Sequence, residues 1–167
     1  MTIMPSNNAD NSASNLRKVM SHYLTGVTIV TVTKPDGTPY GLTVNSFNSV
    51  SLVPPLILWS LDNKNSKMSL FENTAGFAIN IMAADQTDLC RRFAGKDDDR
   101  FVDVDWTFGT SGQPLITHAL AHVECRPWQT YAGGDHTIFV GEVIHATRVS
   151  DRPAAAFFRG RLGQYES

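Results

Sequence analysis

The sequence predicts a mainly β domain, an antiparallel barrel with short helices packed on its outside or ends. Three observations point there. Most patterned segments are β-branched or alternate with period two, as in VTIVTV at residues 27–32. After a short helix-like opening, only two helical insertions interrupt the strands, so regular βαβ alternation is missing. The chain also closes on two long strand-like segments, about 119–130 and 135–149, joined by AGGD.

Each element has its own signal. Residues 1–15 are polar and read as a disordered lead-in; 16–167 read as a single domain. A helix is expected over Leu16–His22, then the VTIVTV strand. KPDG, Lys34 to Gly37, is a turn, with φ set by Pro35 and positive φ allowed at Gly37. A strand follows from Tyr40, and SFNSVSLV, Ser46 to Val53, alternates until Pro54 and Pro55 interrupt it. LILWSL, Leu56 to Leu61, is continuously apolar, which predicts cover on both faces. NSKMSLFEN, Asn65 to Asn73, reads as a helix capped by Asn65 or Ser66. FAINIM, Phe77 to Met82, is a strand. ADQTDLCRRFAG is a second helix, with Asp85 as cap and Gly95 as stop. Residues 96–118 read as irregular, and the tail FFRGRLGQYES as short.

Composition bounds the function. The chain has 167 residues, 42% hydrophobic and 18% charged, with net charge −2. That balance makes no electrostatic case for nucleic acid or an anionic membrane surface. No apolar run approaches the roughly 20 residues of a membrane span, and no secretory signal opens the chain. Two cysteines, Cys90 and Cys125, fit a reducing, cytoplasmic setting.

Several site motifs are missing: GxxxxGK[ST], GxGxxG and GxSxG. His118 and His122, with Cys125 beyond, would suit zinc on a helix and so a metal-dependent hydrolase. On a strand, side chains four apart lie about 13 Å from each other. They are therefore read as a loop histidine and a barrel-wall histidine, with no metal. Cys90 beside Arg91 and Arg92 reads as a small buried hydrophobe. Three polar clusters sit at the ends of apolar elements. TVNS, Thr43, Val44, Asn45 and Ser46, could hold a phosphate or form a plain polar strand edge. SLDNKNS, Ser60 to Ser66, offers hydroxyls and a helix start. RRFAGKDDDRF supplies Arg92, Lys96 and Arg100 as counter-charges. His136 follows a Gly-Gly-Asp turn at the mouth of an apolar strand, where it either caps the hairpin or faces a ligand.

The chain resembles the flavin reductase-like family, the small NAD(P)H:flavin oxidoreductases of two-component monooxygenases. The resemblance runs from about Met20 to Gln164 and is carried by LTGVTIVT, GLTVNSFNSVSLVPPLILWSL, NKNS, FAINIM, FAGKDDDRF, GQPLITHALAHVEC, GGDHTIFVGEV and FFRGRLG. It implies a split β-barrel of the FMN-binding type and a homodimer with flavin near the interface. It further implies FMN or FAD as flavin, NADH or NADPH as co-substrate, and a flavin-dependent monooxygenase receiving reduced flavin. Thr43, Val44, Asn45 and Ser46 are then expected at the flavin ring and ribityl chain. Ser60, Leu61, Asp62 and Ser66 are expected along the next stretch, and Phe93, Ala94 and Arg100 towards its phosphate. Asp135 and His136 are expected at the pyridine nucleotide, with His136 orienting and not obligatory. Related chains often read RGRY where this one has Leu162, so cover there is expected to be looser or supplied by Tyr165. The alternative is a flavoprotein of the same fold that keeps its flavin as an electron carrier or oxidase.

Overall fold

The computed structural model describes residues 12–97 and 99–166. Most of the expected lead-in lies outside the described residues; the helix begins earlier than the pattern predicts. Ser12 caps α1, Ala13–Met20, its hydroxyl accepting the Asn15 N–H at 3.2 Å. A two-residue strand follows, β1, Thr25–Gly26. β2, Thr28–Thr33, and β3, Pro39–Val44, form a hairpin across the KPDG turn. β4, Asn48–Leu52, and β5, Pro55–Asp62, meet at the proline pair, Pro55 opening β5, with a cis Val53–Pro54 bond. α2, Met68–Glu72, is shorter than expected; Asn65 instead accepts the Lys67 N–H at 2.9 Å, capping the turn before it.

β6, Phe77–Ile81, leads into a 3-10 turn, Ala84–Gln86, and then α3, Thr87–Ala94. Asp85 does not cap α3, because it lies within the 3-10 turn and pairs with Arg152. Gln86 Oε1 instead accepts the Ala83 N–H at 3.2 Å, at the start of the 3-10 turn. Gly95 ends α3 as expected. The stretch expected to be irregular holds a small hairpin, β7, Trp106–Phe108, with β8, Pro114–Ile116. The two long strands are β9, Ala121–Gly133, and β10, His136–Arg148. The tail is a further hairpin, β11, Ala154–Phe158, with β12, Arg161–Tyr165, and β11 also pairs with β1. None of the helices among the described residues is long and apolar enough to cross a membrane.

The main sheet has seven strands in the order β3-β2-β6-β9-β10-β5-β4, with antiparallel neighbours throughout. β3 and β4 therefore lie at opposite edges, yet only residues 45–47 join them. Such a link spans at most about 14 Å. Laid flat, six strand spacings would separate the edges by about 29 Å. The sheet must curl until its edges approach, without a hydrogen-bonded ladder between β3 and β4. This is the split barrel that was expected.

Inside the curl lies the main core. Trp59, fully buried, stacks on Phe139 at 4.6 Å and meets Phe71 edge-on at 5.1 Å. Gly141 makes room for this core: a Cβ there would come within 2.4 Å of the Phe77 ring. A second core packs α3 and β11 against the outside of β2, through Ile29, Met82, Cys90, Phe93 and Ala155. β2 is thus covered on both faces, with Val30 and Val32 pointing into the main core. β5 is not, contrary to expectation. Ile57, Trp59 and Leu61 are buried, but the alternate Leu56, Leu58 and Ser60 are only half-buried. α3 packs beside β2 and β3, at the far end of the sheet from β5.

Candidate functional site

The curl brings the ends of β3, β5 and α3 together with the start of β10. Their residues line one cleft of about 290 Å³. Thr43, Val44, Asn45 and Ser46 form one wall, Ser60, Leu61 and Asp62 a second, and Phe93, Ala94 and Arg100 a third, with His136 at the rim. Of the residues proposed from the sequence, Ser66 and Asp135 are not in the lining. Leu42, Asn65 and Gly95, which were not singled out, are.

The walls are locked to one another. The Ser46 hydroxyl donates to the Ser60 carbonyl at 3.2 Å and accepts the Ser60 N–H at 3.0 Å, tying the β3 exit to β5. The Thr43 hydroxyl donates to the Cys90 carbonyl at 2.7 Å, tying β3 to α3. Both hydroxyl protons are thus used internally. Asn45, whose side chain is exposed between these two anchors, remains available to a ligand.

Arg100 is 7% exposed. It donates from Nη1 to the Gly41 carbonyl at 2.7 Å, from Nη2 to Gly95 at 2.6 Å and from Nε to Asp97 at 2.8 Å. It also lies 5.1 Å from the Tyr40 ring centroid. Among the described residues no carboxylate pairs with it. Carbonyls satisfy its N–H groups without neutralising it, so the cleft has a positive wall suited to an anion. Two other expected counter-charges go elsewhere. Arg92 donates to the Val102 carbonyl at 2.7 Å, and Lys96 does not line the cleft.

His136 opens β10 opposite Asp62 of β5. Its turn is held from the β5 side by Asn63. The Asn63 N–H donates to the Asp135 carbonyl at 2.9 Å, and Thr137 Oγ1 donates to Asn63 Oδ1 at 2.8 Å. Gly134, at φ +74°, supplies the conformation the turn needs. His136 Nδ1 lies 2.7 Å from Asp135 Oδ1. The hydrogen bond and charge of His136 hold the Asp135 carboxyl below its ordinary range. Asp135 therefore acts on the cleft through the imidazole, fixing Nδ1–H and leaving Nε2 for a ligand. The sequence signalled this clamp only as a polar stretch after a strand, because Asn63 and Thr137 are 74 residues apart.

A smaller apolar pocket of about 240 Å³ adjoins the cleft and shares Thr43, Val44, Asn45 and Ala94 with it. Val27, Cys90, Arg91, Phe157 and Leu162 complete its wall. Leu162 thus reaches this region, but Tyr165 does not replace the missing aromatic. It lines a different cavity, with Leu120 and residues 150–154. The histidines of the zinc alternative take the structural places read for them. His118 sits in a loop at φ +63°, and His122 Nε2 bonds the Ile116 carbonyl at 2.9 Å. Among the described residues no three His, Cys, Asp or Glu side chains gather as a metal site.

Comparison with known proteins gives this geometry its context. A family profile described as "Flavin reductase like domain" matches residues 20–166. The chain is 43% identical over 156 residues to FMN reductase (NADH) SmoA of Agrobacterium fabrum, covering 93% of this chain and 87% of that protein. It is 35% identical over 145 residues to HsaB of Rhodococcus jostii, the reductase subunit of a flavin-dependent monooxygenase, covering 87% and 74%. The solved structure of Streptomyces globisporus C-1027 NADH:FAD oxidoreductase SgcE6, in complex with NAD and FAD fragments, matches with a TM-score of 0.86 and 43% identity over 92% of each chain. On the profile match and these identities, the chain belongs to the flavin reductase-like family.

Proposed function

We propose that this protein reduces free flavin, FMN or FAD, with NADH and supplies the reduced flavin to a flavin-dependent monooxygenase. The observation that carries the reading is the convergence of three sequence-distant clusters and His136 in one cleft. The residues present suit a flavin. Arg100 offers an unneutralised positive wall for a phosphate, Asn45 an exposed amide for a polar ring edge, and the adjoining pocket an apolar surface. NADH is favoured over NADPH because SmoA and SgcE6 are named for NADH.

Bound flavin supplies a two-electron acceptor, so hydride transfer from nicotinamide requires no protein nucleophile. The chain's task is to hold and orient the two reactants and keep water away. The Ser46–Ser60 and Thr43–Cys90 bonds hold the walls at fixed spacing. With Nδ1–H held by Asp135, neutral His136 presents Nε2 as an acceptor for a carboxamide N–H; protonated, it donates to a phosphate. The same reading takes residues 16–167 as one domain in the cytoplasm, its two cysteines both free and buried. It also takes the protein as a homodimer, supported by half-buried Leu56 and Leu58 outside β5 and exposed Trp128 and Tyr131 on β9.

The test is a steady-state assay of NADH and NADPH against riboflavin, FMN and FAD. NADH oxidation is expected only with added flavin, which behaves as a turned-over substrate. A preparation that retains non-exchanging flavin and consumes no NADH would overturn the proposal in favour of a flavin-retaining protein.

A further inference from the structure

Arg100 takes its position largely from the segment that carries it. Two of its three carbonyl partners, Gly95 and Asp97, lie just before it in the chain, between α3 and β7; Gly41 alone of the three belongs to the sheet. The placement of the guanidinium therefore depends on what holds this segment. Arg92 of α3 holds its backbone at the Val102 carbonyl. The side chain next to Arg100, Phe101, holds it by its ring. That ring meets Phe93 of α3 edge-on at 4.9 Å and Trp106 of β7 edge-on at 5.7 Å. Phe93 lines the cleft and packs against Gly41, where a Cβ would come within 3.0 Å of its ring. Phe101 and Trp106 do not line the cleft.

The outer end of this ring series is fixed. Trp106 pairs in register with Ile116 across the β7–β8 hairpin. The hairpin is bonded to three strands of the main sheet by buried polar side chains. The Thr31 hydroxyl of β2 donates to the Pro114 carbonyl, Asn80 Oδ1 of β6 accepts the Ile116 N–H at 2.7 Å, and Glu124 of β9 accepts the Ser111 N–H at 2.7 Å. Trp106 is thus a rigid stop behind Phe101. Its indole limits how far Phe101, and with it Arg100, can move away from the cleft.

We infer that Trp106 is a positioning residue: through Phe101 it sets Arg100 against the flavin phosphate, and so sets the preference of the site for phosphorylated flavin over riboflavin. The inference rests on the reductase reading and adds a determinant of flavin choice that lies outside the cleft. It separates from a general packing role because riboflavin has the ring and ribityl chain of FMN but no phosphate.

The experiment measures KM for FMN and for riboflavin, with NADH as reductant, in wild type, Trp106→Leu, Trp106→Phe and Phe101→Leu. Wild type is expected to favour FMN. Trp106→Leu should raise KM for FMN about three- to tenfold, as for a weakened charge-assisted contact. Its kcat and its KM for riboflavin should stay within about twofold. Trp106→Phe, which keeps a ring against Phe101, should recover most of the FMN effect. Phe101→Leu breaks the same contact from the other side and should repeat the selective loss; it decides the question if Trp106→Leu does not fold. Equal losses with both flavins, no loss with either, or failure of both leucine variants to fold would overturn the inference and leave the rings as packing alone. A wild type that does not distinguish FMN from riboflavin would overturn it at Arg100. A wild type that oxidises no NADH with any flavin would overturn the reductase reading itself, a result distinct from all of these.

Discussion

Replacing His136 by alanine removes one imidazole from the rim of the cleft and little else. The hairpin that carries it is held by bonds that do not involve the ring: Asn63 to the Asp135 carbonyl, Thr137 to Asn63, and the Gly134 turn. The variant should therefore fold and keep its flavin affinity. On the proposed reading, what it loses is an Nε2 contact to the pyridine nucleotide. The His136 side chain is 43% exposed, so water competes with that contact. A hydrogen bond at such a site contributes about 1–2 kcal/mol, or roughly 5- to 30-fold in kcat/KM. The loss should fall mainly on KM for NADH, because the group binds and orients and does not react. Flavin affinity from fluorescence quenching and NADH kinetics should be measured on the same preparation. Loss of flavin binding with normal NADH kinetics in the remaining holoprotein would place His136 in the flavin site and refute this reasoning. Asp135→Asn should alter NADH kinetics less than the alanine variant, since it leaves the imidazole present and frees only its tautomer.

Three further outcomes follow from the packing. Gly141→Ala should lower stability by about 1–3 kcal/mol in denaturant titration, because its Cβ would lie 2.4 Å from Phe77 and 2.9 Å from Cys125. Glu124 is 1% exposed on β9 and accepts from the Ser111 N–H at 2.7 Å, from the Ser111 hydroxyl and from Thr110 at 3.2 Å. Burial pushes its carboxyl up, but the hydrogen bonds from Ser111 and Thr110 outweigh it and hold the group below the ordinary glutamate range. Its contribution is therefore fully present above that range and lost as pH falls through the lowered value. Glu124→Gln should cost about 1–3 kcal/mol at neutral pH and flatten the acid limb of a stability-versus-pH curve; an unchanged limb would show that Glu124 does not set it. Burial pushes the Cys90 thiol up to about 11 and the Cys125 thiol to about 12. Neither should react with iodoacetamide in the folded protein at neutral pH, and alanine at both positions should leave flavin reduction within a few-fold; rapid alkylation before unfolding would contradict this.

Much of the architecture was legible because the deciding signals were local. A β-branched run marked β2, the apolar FAINIM segment marked β6, the KPDG and AGGD turns marked two hairpins, and Gly95 marked the end of α3. The errors fell where local pattern and tertiary placement diverge. LILWSL is apolar on both faces, but periodicity cannot say whether anything lies against the second face; in this chain the helix went to β2. Asp85 is a good cap by residue type, yet an ion pair with Arg152, 67 residues away, drew it into a different role. The β7–β8 hairpin and the β11–β12 tail lack strong alternation, and each is fixed by partners distant in sequence, β11 by β1 for example.

The sequence by itself determined which residues were chemically suited to the site. It isolated the TVNS and SLD segments, Arg100 and His136 as polar or charged groups at the ends of apolar elements, and motif resemblance supplied the family and added Phe93 and Ala94. Only the tertiary structure decided how these groups are used. It turned Arg100 into a buried cation bonded to three carbonyls, put the Thr43 and Ser46 hydroxyls to work as ties, and sent Arg92 away from the cleft. It also placed Asn63 as the clamp on the His136 turn. The physical reason is the curl of the sheet. A three-residue link between strands at opposite edges forces those edges together, and distances between side chains far apart in sequence are set by that closure and by no local pattern.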